Sequence, residues 1–170
     1  MKIAIIGAGN LGLSIAKGLI INNTYTDLYL TKRNLDTIRE FEEYKSVFLT
    51  TNNNEAIKNA DILIFAVQPS QFESILNEVK PHLNEKHVII STITGFPISR
   101  IETQISSDYP IIRAMPNTAI SVAKSMTCLC SNQEGESKLP IAEAIFNGLG
   151  TNLIIEEELM QAATVLCASG

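Results

Sequence analysis

The chain has 170 residues, 45% of them hydrophobic, and a formal net charge of −5. That is one domain's length, with enough apolar residues to bury a core. The mild acidity argues against an electrostatic nucleic-acid footprint, no block of like charge is long enough to act as a tail, and no apolar run approaches the roughly 20 residues a bilayer span requires.

In chain order, short β-branched runs alternate with segments of helical period. Lys2 to Gly7 is the first strand, apolar on both faces as a central parallel strand should be. Asn10 to Ile21 follows as a helix with Leu11, Ile15 and Leu19 on one face. A secretion signal is the rival reading of this start, but Gly7, Gly9, Asn10 and Gly12 interrupt the apolar run it would need. Asp27 to Thr31 is the second strand, Leu35 to Tyr44 an acidic amphipathic helix, Val47 to Thr50 a short strand and Asn54 to Asn59 a short helix. Asp61 to Val67 ("DILIFAV") is the clearest buried strand, and Pro69 opens the next helix, which carries Phe72, Ile75, Leu76 and Val79.

Further strands are read at "HVIIST", "YPIIRAM", "SMTCLC" and "TNLIIE", with helices at "PISRIETQI" and Leu139 to Leu149 and a loop at Ser131 to Ser137. The final "EEELMQAATVLCASG" starts a helix with acids in its first turn, where the helix dipole favours them. Met160, Val165 and Leu166 on that helix call for a packing partner. The alternation predicts an α/β, Rossmann-type, doubly wound and mostly parallel sheet with helices on both faces. The three cysteines, Cys128, Cys130 and Cys167, fit no metal spacing and read as reduced thiols packed in the core of a cytosolic protein. His82 and His87 flank a connection without Cys or acidic companions, and read as surface residues; no metal site is expected.

Chemistry is expected where strands end. "GAGNLG" spells G-x-G-x-x-G at Gly7, Gly9 and Gly12. It follows a strand and opens a helix, the context in which glycines allow a tight turn, close approach of a pyrophosphate and helix–strand packing. The amides of Asn10, Leu11 and Gly12 then face the anion. At the end of the second strand, where an acid would bond the ribose 2′-hydroxyl of NAD, stands "TKRN": Thr31, Lys32, Arg33 and Asn34. Two cations and a hydroxyl suit a 2′-phosphate, so NADP(H) is expected, with NAD(H) as the alternative.

Ala66, Val67, Gln68 and Pro69 end the strongest strand and offer a floor for the dinucleotide; "TITG", with Ile93, Thr94 and Gly95, lies alongside. In "RAMPNT", Pro116 fixes a turn and Asn117 offers donor and acceptor to a nicotinamide carboxamide. Arg113 could hold a substrate carboxylate, but a structural residue tied to backbone carbonyls is the favoured reading. No Ser–His–Asp set or carboxylate pair stands out, and Glu156 to Glu158 read as a helix start. Hydride transfer needs neither set.

Taken together, the motifs resemble pyrroline-5-carboxylate reductase. The stretches that carry the resemblance are "IGAGNLG" with "AKGL", "TNNNEA", "FAVQP", "IISTITG" followed by "ISRIE", "RAMPNT" and "MQAATVLCASG", and they span essentially the whole chain. The resemblance implies reduction of the C=N bond of 1-pyrroline-5-carboxylate to L-proline by NADPH or NADH, with Asn53 added to the cofactor-binding residues. It also implies a dinucleotide-binding domain over 1–155, and at 156–170 the start of a helical C-terminal domain that dimerises and completes the substrate pocket. The substrate-binding and proton-donating groups are expected there, so this chain alone should be inactive. Departures from the family pattern are Gln68 in place of Lys, "AKS" at Ala123 to Ser125 in place of a Gly-containing turn, and "CASG" at Cys167 to Gly170 in place of "SGSG". Two alternatives stand beside this reading: a related reductase or cofactor-to-cofactor hydride transferase, and a non-enzymatic dinucleotide-sensing module.

Overall fold

The computed structural model describes residues 1–168, with the side chains of Thr118 and of 166–168 outside the description. The expectations placed on the side chains of Leu166 and Cys167, and on Ser169 and Gly170, therefore lie outside the description. Eight strands form one sheet: β1 (Lys2–Ile6), β2 (Asp27–Thr31), β3 (Val47–Thr50), β4 (Ile62–Phe65), β5 (Val88–Ser91), β6 (Ile111–Met115), β7 (Ser125–Ser131) and β8 (Gly150–Ile154). Their order is β3-β2-β1-β4-β5-β6-β7-β8. Each neighbouring pair is parallel except β6 and β7, which run antiparallel. The doubly wound α/β expectation is borne out.

Side-chain alternation splits the core in two. Ile3 and Ile5 of β1 face one cluster and Ala4 and Ile6 the other, all without exposed surface. Each fully buried isoleucine contributes about 2 kcal/mol in apolar transfer. The first cluster is covered by α1 (Asn10–Ile21), α5 (Leu139–Asn147) and the segment Leu35–Glu43. The second is covered by α2 (Asn53–Lys58), α3 (Pro69–Val79), α4 (Ile98–Gln104) and, through Met160, α6 (Met160–Ala168). The predicted elements are present, most of them a residue or two shorter at an end than the apolar runs suggest, because strands stop where ladder pairing stops.

Two expectations need correction. Leu35–Glu43 is a 3₁₀ helix, not an α-helix. Its apolar residues Leu35, Ile38 and Phe41 recur every third position, and a helix of three residues per turn stacks them on one face. Asn34 starts it, its side-chain oxygen accepting from the amide of Asp36 at 3.0 Å. His87 is not a surface residue: it is 1% exposed. Its Nδ1 accepts from the amide of Asn84 at 3.0 Å, which leaves the proton on Nε2 for the carbonyl of Ile57 at 3.2 Å. Burial holds its pKa below the ordinary histidine value. His82 remains partly exposed, and Cys128 and Cys130 are buried and not in a disulfide, as expected of reduced core thiols.

Candidate functional site

The strand order reverses at β1, with β2 on one side and β4 on the other. In an open α/β sheet the crevice beyond the strand ends at that point is where ligands bind. The glycine turn leaves β1 into this crevice, and segment 66–69 leaves β4 beside it. Gly7 has φ +96°, and a side chain there would collide with Val67 Cγ1 and meet the Ala66 carbonyl oxygen at 2.9 Å. At Gly12 a Cβ would strike the carbonyl oxygen of Gly7, so helix α1 packs on the turn only because this position is bare. At Gly9 a Cβ would find no atom within 4 Å, which leaves open space over the turn.

Gly9 caps α1 without a side-chain hydrogen bond, and the first turn carries no acid. The leading amides of a helix have no partner within it, so those of Asn10, Leu11 and Gly12 are available to an anion. The turn is anchored from β2: the Ala8 amide donates to the Thr31 carbonyl at 2.8 Å and the Gly7 amide to the Thr31 hydroxyl at 3.2 Å. Thr31 is 2% exposed, so its hydroxyl faces the glycine turn. Lys32 is half-buried and Arg33 and Asn34 are exposed just beyond it; among the described residues neither Lys32 nor Arg33 is in an ion pair. Asn53 opens α2, half-buried, its amide donating to Glu78 Oε1 at 3.4 Å.

On the other side, the Ala66 amide donates to the Ile6 carbonyl at 2.9 Å, Gln68 caps α3, and Pro69 is its first residue. Thr92 ties β5 back to β4 by donating its hydroxyl to the Phe65 carbonyl at 2.8 Å. Ile93 is buried, while Thr94 and Gly95 are exposed. Asn117 lies past the end of β6, and its side-chain oxygen accepts from the amide of Ala119 at 3.2 Å. The acceptor expected to face a carboxamide is thus engaged in the turn.

Beyond Thr94 and Gly95 a cavity of about 700 Å³ opens between β5, β6 and α6, lined also by Arg113, Glu157, Met160 and Thr164. Arg113 lies buried in β6, tied to a carboxylate rather than to the backbone carbonyls expected: its Nη1 donates to Glu157 Oε1 at 2.7 Å. Glu157 was legible only as one of three acids at a helix start. The signal that could have found it is Arg113 itself, since a cation inside a buried strand needs a partner. Burial, reinforced by the Glu157 carboxylate, pushes the Cys130 thiol up to about 12 against the opposing effect of Arg113, so Cys130 is inert as a nucleophile. Among the described residues no group of three His, Cys, Asp or Glu side chains could hold a metal, and no helix is long and apolar enough to cross a membrane.

Comparison with known proteins agrees with this geometry. Over 99% of its length the chain is 38% identical to pyrroline-5-carboxylate reductase 1 of Dictyostelium discoideum, of which it covers 33%. It superposes on a pyrroline-5-carboxylate reductase from Coxiella burnetii with a TM-score of 0.93 at 31% identity, covering 99% of this chain and 64% of that one. On the Plasmodium falciparum pyrroline carboxylate reductase with NADP bound, the TM-score is 0.85 at 26% identity, covering 98% and 62%. The chain thus spans less than two thirds of the length of these relatives. The resemblance read from its motifs is borne out. A family model described as NADP oxidoreductase, coenzyme F420-dependent, matches residues 2–95, more than half of the chain, and the chain belongs to that family.

Proposed function

We propose that this chain is the dinucleotide-binding domain of a pyrroline-5-carboxylate reductase, an oxidoreductase that reduces the C=N bond of 1-pyrroline-5-carboxylate to form L-proline. The observation that carries the proposal is the glycine turn at the switch point, bare at Gly7 and Gly12 because Val67, Ala66 and the turn's own backbone fill the space. NADP(H) is the proposed cofactor, with NAD(H) as the alternative. Lys32 and Arg33 support that choice, and so does a structural relative with NADP bound. When bound, the reduced dinucleotide supplies the hydride.

The chain's own residues bind and orient. Amides of Asn10, Leu11 and Gly12 take the pyrophosphate, with Gly9 leaving room for it; Thr31 fixes the turn from below; Lys32, Arg33 and Asn34 surround the 2′ position, with Asn53 nearby. Ala66, Val67, Gln68 and Pro69 floor the middle, and Ile93, Thr94, Gly95 and Asn117 bound the nicotinamide end. We assign residues 1–155 to this domain and 156–170 to the opening of a helical part that forms a homo-oligomer and completes the substrate pocket. The relatives' greater length supports that assignment. Cys128 and Cys130, buried and without a disulfide, support work in a reducing cytoplasm.

The test is turnover by the protein as its gene encodes it: NADPH consumption with 1-pyrroline-5-carboxylate and proline identified as product. Binding of the dinucleotide without proline formation would defeat the reductase assignment. The match to a coenzyme F420-dependent family favours one second reading, hydride transfer between NADP and another cofactor. A panel of acceptors in the same assay separates the two.

A further inference from the structure

Glu157 belongs to the run Glu156–Glu158, yet it is half-buried while both neighbours are exposed. A single atom, Oε1, accepts from Arg113 Nη1 at 2.7 Å and from the backbone amide of Ile98 at 2.8 Å. Those partners lie 44 and 59 positions away, one in β6 and the other at the first residue of α4. One carboxylate oxygen therefore pins three separate elements together, and the charge-assisted bond to a guanidinium is of the stronger kind.

This tie lies immediately before helix α6. Of its described side chains, Met160 is buried and Ala163 packs partly against the core, while Val165 is 62% exposed. Leu159, just before the helix, is also exposed. Among the described side chains, the helix is thus held by Met160, by the partly buried Ala163 and, three residues before Met160, by Glu157. Met160 and Thr164 form the wall of the cavity that Thr94 and Gly95 face from the sheet. If the 2′-phosphate end of a dinucleotide lies at β2, its other end runs across β1 and β4 to the end of β5, at the mouth of this cavity. The ion pair also neutralises Arg113, so among the described residues the wall beside that end presents no unpaired cation.

We infer that Glu157 is a positioning residue for the nicotinamide half of the dinucleotide: it clasps α6 to β6 and α4 and so holds the cavity wall against which that half is ordered. The inference rests on the dinucleotide assignment above. It separates the two ends of the cofactor, because Glu157 is remote from the glycine turn and from Thr31 to Asn34.

The experiment is a pair of calorimetric titrations of the full chain, one with NADP⁺ and one with adenosine 2′,5′-bisphosphate, which carries the phosphorylated adenosine end and no nicotinamide. Glu157→Ala is expected to weaken NADP⁺ about tenfold and leave the bisphosphate unchanged. Glu157→Gln keeps the shape and an acceptor for Ile98 but loses the charge, and should fall between wild type and the alanine variant. Equal loss for both ligands, or no loss, overturns the inference. If thermal melting shows Glu157→Ala unfolded, Glu157→Gln decides by the same criterion. Wild-type chain that binds the bisphosphate as tightly as NADP⁺ overturns this inference alone. Wild-type chain that binds neither overturns the dinucleotide assignment, and the inference with it.

Discussion

The two ends of the candidate site are built differently. At the β1–β4 crevice the geometry is set by backbone: bare positions at Gly7 and Gly12, a carbonyl and a hydroxyl of Thr31, helix amides with no side-chain cap. At the β5–β6 cavity it is set by side chains drawn from distant elements, above all Arg113 and Glu157. The first end centres on one short turn, and at Gly7 and Gly12 it is intolerant of added atoms. The second is assembled across the fold and sensitive to removed charge. Backbone cradles bind what any nucleotide shares; side-chain clasps shape what differs between substrates.

Substitutions should expose this contrast, beginning with the largest effect. Gly12→Val pushes carbon atoms into the Gly7 carbonyl, and NADP⁺ affinity measured by calorimetry should fall at least about a hundredfold, equivalent to ~2.7 kcal/mol. An unchanged affinity would show that the turn does not bind the nucleotide. At the other end, Arg113→Met leaves the Glu157 carboxylate without its cation. A fully buried pair would cost ~3–5 kcal/mol, and with Glu157 partly exposed we expect about 2 kcal/mol in denaturant unfolding. Equal stability would mean the pair is incidental.

Arg33→Asp should lower NADP⁺ affinity about tenfold more than NAD⁺ affinity, a test of whether Arg33 recognises a 2′-phosphate. Equal loss for both would remove Arg33 from 2′-phosphate recognition.

The smallest effect belongs to His87, just before β5 and so at the opposite edge of the sheet from both ends of the site. Its folded pKa lies below the unfolded value near 6.5, mainly because of burial. The neutral ring's contribution is therefore fully present above about pH 6.5 and is lost as pH falls through the folded pKa. The slope is at most about 1.4 kcal/mol per pH unit. Urea unfolding between neutral and mildly acidic pH should show this slope in wild type and a flatter one in His87→Gln, with NADP⁺ binding at neutral pH unchanged in the variant. A slope that persists in the variant would assign the pH dependence elsewhere.

The sheet and the backbone end were legible in the sequence because both are encoded locally. Short, isoleucine-rich apolar runs such as "IAII" and "ILIF" fit central strands, and G-x-G-x-x-G after one of them leaves few conformations open. His87 and the 3₁₀ helix were misread for opposite reasons. The period of three at Leu35, Ile38 and Phe41 is local and fits a 3₁₀ helix, but a span of nine residues suggests the commoner α-helix. The burial of His87 depends on Asn84 and on Ile57, thirty residues away.

What the sequence determined by itself is the fold class, the place of the glycine turn and the basic character of the β2 end, since each rests on neighbours within a few residues. Only the tertiary structure decided that Gly7 abuts Val67 and that one acid out of three reaches Arg113 across 44 positions. Periodicity reports which way a side chain faces, whereas its partner is set by which elements the sheet order brings side by side.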